Sequence, residues 1–123
     1  MPITQYRLLL LALVSLLLVV ACGGGSEGTD PVSRGAQIYA RSGCATCHGD
    51  KGHGDGPSAA SMSIKPRDFT KPGEFHTART VEAVGLVIQQ GSGNGVMPAY
   101  AFLSDEERKD LASFVLSLAG GAQ

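Results

Sequence analysis

The chain has 123 residues, a formal net charge of −1 and no cluster of lysine or arginine, so its charge gives no basis for a nucleic-acid partner. Three cysteines are too few for a general disulfide framework. With the N-terminal leader set aside, about a hundred residues remain, enough for one small domain; with only 6% aromatic residues its core is modest, and the 17 glycines point to many loops.

Met1–Arg7 carries a single positive charge, and Leu8–Val20 is apolar except for Ser15. Those thirteen residues fall short of the roughly 20 that a bilayer span requires and suit the hydrophobic region of a signal peptide. The run closes in Val19-Val20-Ala21-Cys22, which resembles the lipobox of bacterial lipoproteins. There a signal peptidase cuts before a cysteine whose sulfur carries a diacylglyceryl group. The reading expects a lipoprotein signal peptide over 1–21, lipidation of Cys22, a tether over 22–30 and a folded domain over 31–123. An uncleaved N-terminal anchor is the alternative. Either places the domain at a membrane, on the outer side of the bacterial cytoplasmic membrane or in the periplasm. Gly23–Thr29 is glycine-rich and flexible, with a coil reach of about 15 Å.

Asp30 and Pro31 read as the N-cap and first position of a helix running to Arg41. Val32, Gly35, Ala36 and Tyr39 would share one face, and Ser42-Gly43 would end it. A glycine inside a helix costs about 1 kcal/mol relative to alanine, so Gly35 needs a packing reason.

Cys44-Ala45-Thr46-Cys47-His48 follows at once. Two thiols three residues apart and an adjacent imidazole form the attachment pattern of a c-type haem. Positions i, i+3 and i+4 share a face of a helical turn. Cys44 and Cys47 can thus each form a thioether with one vinyl group of a single porphyrin, while His48 projects toward the iron as an axial ligand. The competing readings are a redox dithiol, half of a zinc site and a structural disulfide. No flanking βαβ pattern supports the first. The zinc site lacks a second ligand pair, since Cys22 belongs to the leader.

Gly49–Phe75 reads as loop, with Gly49, Gly52, Gly54 and Gly56 beside Asp50 and Asp55 supplying turn chemistry. Ala59–Ser63 could form one helical turn, and Pro66 and Pro72 break any longer element. So long a loop in a small domain needs something to pack on, and a haem would provide it. Thr77 or Thr80 can cap a further helix to Gln90, with Val81, Val84, Val87 and Ile88 on its apolar face. Gly91–Gly95 stops it, and Val96–Tyr100 is loop. Ser104 with Glu107 forms a capping box for a last helix with Leu111, Phe114, Val115 and Leu118 on its stripe, ended by Gly120-Gly121.

On these residues the chain resembles a class I c-type cytochrome of the small bacterial monohaem kind, from about Val32 to Ala119. Three features carry the resemblance: Cys44–Gly49, the segment Met97-Pro98-Ala99-Tyr100, and an N-terminal helix that would cross the C-terminal one at Gly35 and Tyr39 against Leu111 and Phe114. The resemblance implies an all-α cytochrome c fold, three to four helices with long loops wrapped around one covalent haem c. It implies Met97 as the sixth iron ligand, with Met62 and His76 as the alternatives. In the family a proline in the region after the motif offers its carbonyl to the proximal imidazole; Pro57 is the candidate here, a plain turn proline being the other reading. Arg67 could pair with a haem propionate, or with Asp68 at the surface, or stay free.

With both axial positions filled by protein, the implied activity is one-electron transfer and not catalysis; no Ser/His/Asp set or paired carboxylates suggest an enzyme. The expected role is a membrane-tethered shuttle between membrane-associated donor and acceptor proteins. The alternatives are a fixed subunit of a larger oxidoreductase, or a haem sensor if the sixth ligand is labile.

Overall fold

The computed structural model describes residues 30–121, together with Ile3. Apart from Ile3, the expected signal peptide lies outside the described residues, as do Cys22 and all of the tether but Asp30. Four α-helices are present among those described, with no β-strand, as the resemblance implied: α1 (Pro31–Arg41), α2 (Ala45–His48), α3 (Val81–Gln90) and α4 (Asp105–Leu118).

Helix α1 starts as its sequence dictates. Asp30 is extended, its carboxylate accepts the Ser33 N–H at 3.0 Å, and Pro31 opens the first turn. Its buried face is Gly35, Ile38 and Tyr39. Val32, expected on that face, is exposed one turn before the packed segment, and Ile38 takes its place.

The partner of that face is α4. The Ser104 hydroxyl accepts the Glu107 N–H at 3.2 Å, and the Glu107 carboxylate accepts the Ser104 N–H at 2.8 Å, which completes the capping box. Leu111, Ala112, Val115 and Leu116 are buried, while Leu118 is half-exposed. Where α1 and α4 pack, a Cβ on Gly35 would overlap the Asp110 carbonyl and the Phe114 Cβ. The glycine is the condition for close approach. Two contacts fasten the crossing on either side of it. Tyr39 meets Phe114 edge-on at 5.1 Å between ring centroids. Arg34 makes a two-pronged ion pair with Asp110, Nε to Oδ2 at 2.6 Å and Nη2 to Oδ1 at 2.9 Å.

Helix α3 is capped by Thr80, not Thr77: the Thr80 hydroxyl accepts the Ala83 N–H at 3.2 Å. It packs on α4 through Val84, Gly85 and Ile88 and ends at Gly91, whose φ of 72° lies in the left-handed region. The resulting core joins Ile38 and Tyr39, Val84 and Ile88, Leu103, and Leu111, Ala112, Val115 and Leu116.

Between α2 and α3 the chain makes only two short 3-10 turns, Ala59–Ser61 and Pro72–Glu74. Backbone bonds fasten this long segment to α2: Gly54 N–H to His48 C=O at 2.8 Å, Gly56 to Cys47 at 3.1 Å and Ser58 to Thr46 at 3.0 Å. A Cβ on Gly56 would overlap the carbonyls of Ala45 and Thr46, so this return pass also depends on a missing side chain.

Candidate functional site

Helix α2 is a single turn, closed by His48 N–H to Cys44 C=O at 2.9 Å and Gly49 N–H to Ala45 C=O at 2.8 Å. The buried Tyr39 hydroxyl donates to the Gly49 carbonyl at 2.7 Å and fixes the turn to α1. Burial raises the Tyr39 phenol well above its ordinary range, so it stays a donor. Cys44 and Cys47 are free and half-buried. Burial pushes the Cys44 thiol up to about 11, which disfavours the thiolate that a zinc site or a reactive dithiol would use. Among the described residues no three His, Cys, Asp or Glu side chains converge on a bare metal.

His48 is oriented from two sides. Its Nδ1–H donates to the Arg67 carbonyl at 3.2 Å, which leaves Nε2 as the nitrogen with a free lone pair. Phe69 stacks on the ring at 4.3 Å with 21° between planes. Burial lowers the pKa of His48 and so favours the neutral imidazole, the form that ligates iron. The carbonyl expected here was that of Pro57. Pro57 is exposed and belongs to the return pass over α2, where Gly56 and Ser58 bond the carbonyls of Cys47 and Thr46; it is a turn proline. The segment that reaches His48 comes ten residues later.

These groups open onto a cavity of about 590 Å³, within the range of about 300–1,000 Å³ usual for cofactor sites. Cys44, Cys47, His48, Met97 and Arg67 all line it, and Val84, Ile88, Leu111 and Val115 bring the hydrophobic core to its wall. Two thiols, one oriented imidazole and an apolar wall fit a covalently attached haem.

Met62 and His76 line the same cavity, so lining alone does not separate the three possible sixth ligands. Packing does. Met97 lies against the hydrophobic core, whereas His76 is exposed and Met62 is half-buried outside the core cluster. The Met97 backbone is also held at both ends: its N–H donates to the Ser92 hydroxyl at 2.8 Å, and its carbonyl accepts the Ser92 N–H at 3.1 Å. A Cβ on Gly91 would crowd Ala99 N and Pro98 C at 2.9 Å, so this glycine seats the loop on the end of α3.

Arg67 faces the cavity, and burial lowers its pKa. Among the described residues no carboxylate is within ion-pair distance of its guanidinium, and Glu74 acts on it only at longer range. Asp68, offered as its surface partner, is buried and turned to Thr70 and Lys71 instead. The Arg67 carbonyl and the Phe69 ring are the site features that the sequence reading missed. A backbone acceptor leaves no mark in a sequence; the aromatic in Pro66-Arg67-Asp68-Phe69 was the available signal.

An all-α fold closed over a cavity with a Cys-x-x-Cys-His turn on its wall defines a haem c-binding domain. The chain belongs to the cytochrome c family, whose model matches residues 32–119, and its cofactor is covalent haem c. It is similar to a chain of the reducing HAO-like protein complex of Kuenenia stuttgartiensis, with 36% identity and a TM-score of 0.67. That match covers 80% of this chain and 47% of the other, so this chain spans about half the length of its structural relative. No curated protein matches it significantly.

Proposed function

We propose that this protein is a membrane-tethered, monohaem electron carrier that moves single electrons between membrane-associated redox proteins. Thioethers at Cys44 and Cys47 would hold the porphyrin, and His48 Nε2 and the Met97 thioether would be the axial ligands. When bound, haem c supplies a one-electron iron couple. The protein's own contributions are orientation and exclusion of water. Arg67 C=O and Phe69 fix the imidazole, Val84, Ile88, Leu111 and Val115 wall the cavity, and Arg67, which also lines it, would pair with a propionate. The observation that carries the reading is the convergence of both thiols, an oriented neutral imidazole and a core-packed Met97 on one cavity. With both of these side chains on the iron, no position would be left for a substrate.

The test is spectroscopic. The oxidised protein should show a sulfur-to-iron charge-transfer band that Met97→Ala abolishes, and the reduced wild type should not bind carbon monoxide. Avid carbon monoxide binding by the wild type would instead favour a sensor.

One observation favours a second reading, a fixed subunit of an oxidoreductase. The structural relative is a chain of a protein complex and is twice the length matched here. Purification from detergent-solubilised membranes separates the two, because a fixed subunit co-elutes with partner chains in constant ratio and a shuttle does not.

A further inference from the structure

The two groups that orient His48, the Arg67 carbonyl and the Phe69 ring, sit on either side of Asp68 in a stretch without regular structure. No helix or strand holds that stretch in place, so it depends on individual hydrogen bonds, most of them to side chains. Asp68 supplies most of them. Its Oδ1 accepts the Thr70 hydroxyl at 2.6 Å and the Thr70 N–H at 3.0 Å, and its Oδ2 meets Lys71 Nζ at 3.1 Å. Its own N–H donates to Glu74 Oε2 at 3.0 Å, and His53 Nδ1 lies 3.6 Å from Oδ1. The next residue is fastened to the glycine loop by Phe69 N–H to Gly52 C=O at 2.7 Å. Asp68 is buried although acidic and does not touch the cavity.

We infer that Asp68 is a positioning residue for the iron ligand: its carboxylate, clamped by Thr70 and Lys71, holds the 67–69 segment so that the Arg67 carbonyl and the Phe69 ring fix the plane and the Nδ1–H bond of His48. The inference rests on the reading of His48 as an axial ligand. A hydrogen bond from Nδ1 makes the imidazole a better electron donor and fixes its orientation. Loosening the clamp therefore weakens that bond and lets the ring turn. Removing the carboxylate also removes a negative charge, which shifts a reduction potential by itself, so the potential alone cannot identify positioning.

The experiment is nitrogen-15 NMR of the reduced holoprotein, following the His48 Nδ1–H. In Asp68→Ala its exchange with solvent should accelerate at least tenfold and its shift should move. Thr70→Val, which changes no charge, should act in the same direction more weakly. Lys71→Ala removes the other jaw of the clamp together with a charge of the opposite sign, so positioning gives faster Nδ1–H exchange, as in Asp68→Ala, whereas charge alone would give the opposite change. If Asp68→Ala fails to fold, Thr70→Val carries the test. An Nδ1–H indifferent to both substitutions overturns the inference. Failure of the underlying reading looks different. An axial imidazole shows ring protons shifted far upfield by the porphyrin, and their absence in the wild type would mean that His48 does not ligate at all.

Discussion

If Met97 is the sixth ligand, as proposed, it decides whether the haem carries electrons or binds ligands. Its thioether is neutral and soft and favours ferrous iron, and Ser92 and Gly91 hold its backbone against the end of α3. Met97→Ala should open the iron to carbon monoxide, and Met97→His should keep six-coordination but lower the potential; redox titration with the charge-transfer band checks both. A band that survives in Met97→Ala would move the ligand to Met62. Asp68 gives a second prediction at this scale. Its hydrogen bond with the Thr70 side chain, helped by Lys71, depresses its pKa from 3.8 to about 2. A depressed carboxylate stabilises the fold fully above its unfolded pKa and loses that contribution as pH falls through the folded one. Asp68 should therefore support the native state above pH 3.8 and cease to do so between 3.8 and about 2. Acid unfolding of Asp68→Asn should lack the part of the pH dependence that falls in this window.

Among the elements, the crossing of α1 on α4 bears most of the fold. Gly35→Ala should gain nothing from helix propensity, because its Cβ would meet the Asp110 carbonyl and Phe114 across the interface. A loss of about 2 kcal/mol is expected from such overpacking. Asp110→Ala removes both prongs of the Arg34 ion pair. Its cost should lie between that of an exposed pair and that of a fully buried one, because the Arg34 side chain is more than a third exposed while Asp110 is buried. Denaturant titration of the holoprotein measures each. The caps and breakers of these helices were legible because Asp30, Thr80, Ser104 and Gly91 act on backbone groups within one turn. Faces were less so: Val32 and Leu118 fit the period but stay partly or largely exposed, whereas Ile38 and Leu116 are buried. The site divided in the same way. Cys44, Cys47 and His48 lie within one five-residue stretch, but the carbonyl behind His48 comes from nineteen residues away and is contributed by backbone. Only the path of the long loop could show that it belongs to Arg67 and not Pro57.

For the molecule as a whole, the question is how a small domain meets its partners often enough. Redox contacts are small and weak, and a short flexible tether, if the chain has one, would convert each encounter at the membrane into one at an effective concentration of about a millimolar. The Gly23–Thr29 segment after Cys22 has the composition for this. If Cys22 is the lipidated first residue of the mature chain, mass spectrometry should find a diacylglyceryl-modified cysteine and no peptide from residues 1–21. Cys22→Ser should then release a domain with unchanged absorption spectrum and potential, or leave an uncleaved precursor. Released domain should reduce or oxidise membrane-bound partners slowly when dilute, and added protein at about millimolar concentration should restore the rate, because the tether supplies concentration and no contact. A slow rate that added protein does not restore would mean that the N-terminal segment itself touches the partner. An unmodified Cys22 in a chain that still begins at Met1 would replace the lipid with an N-terminal anchor.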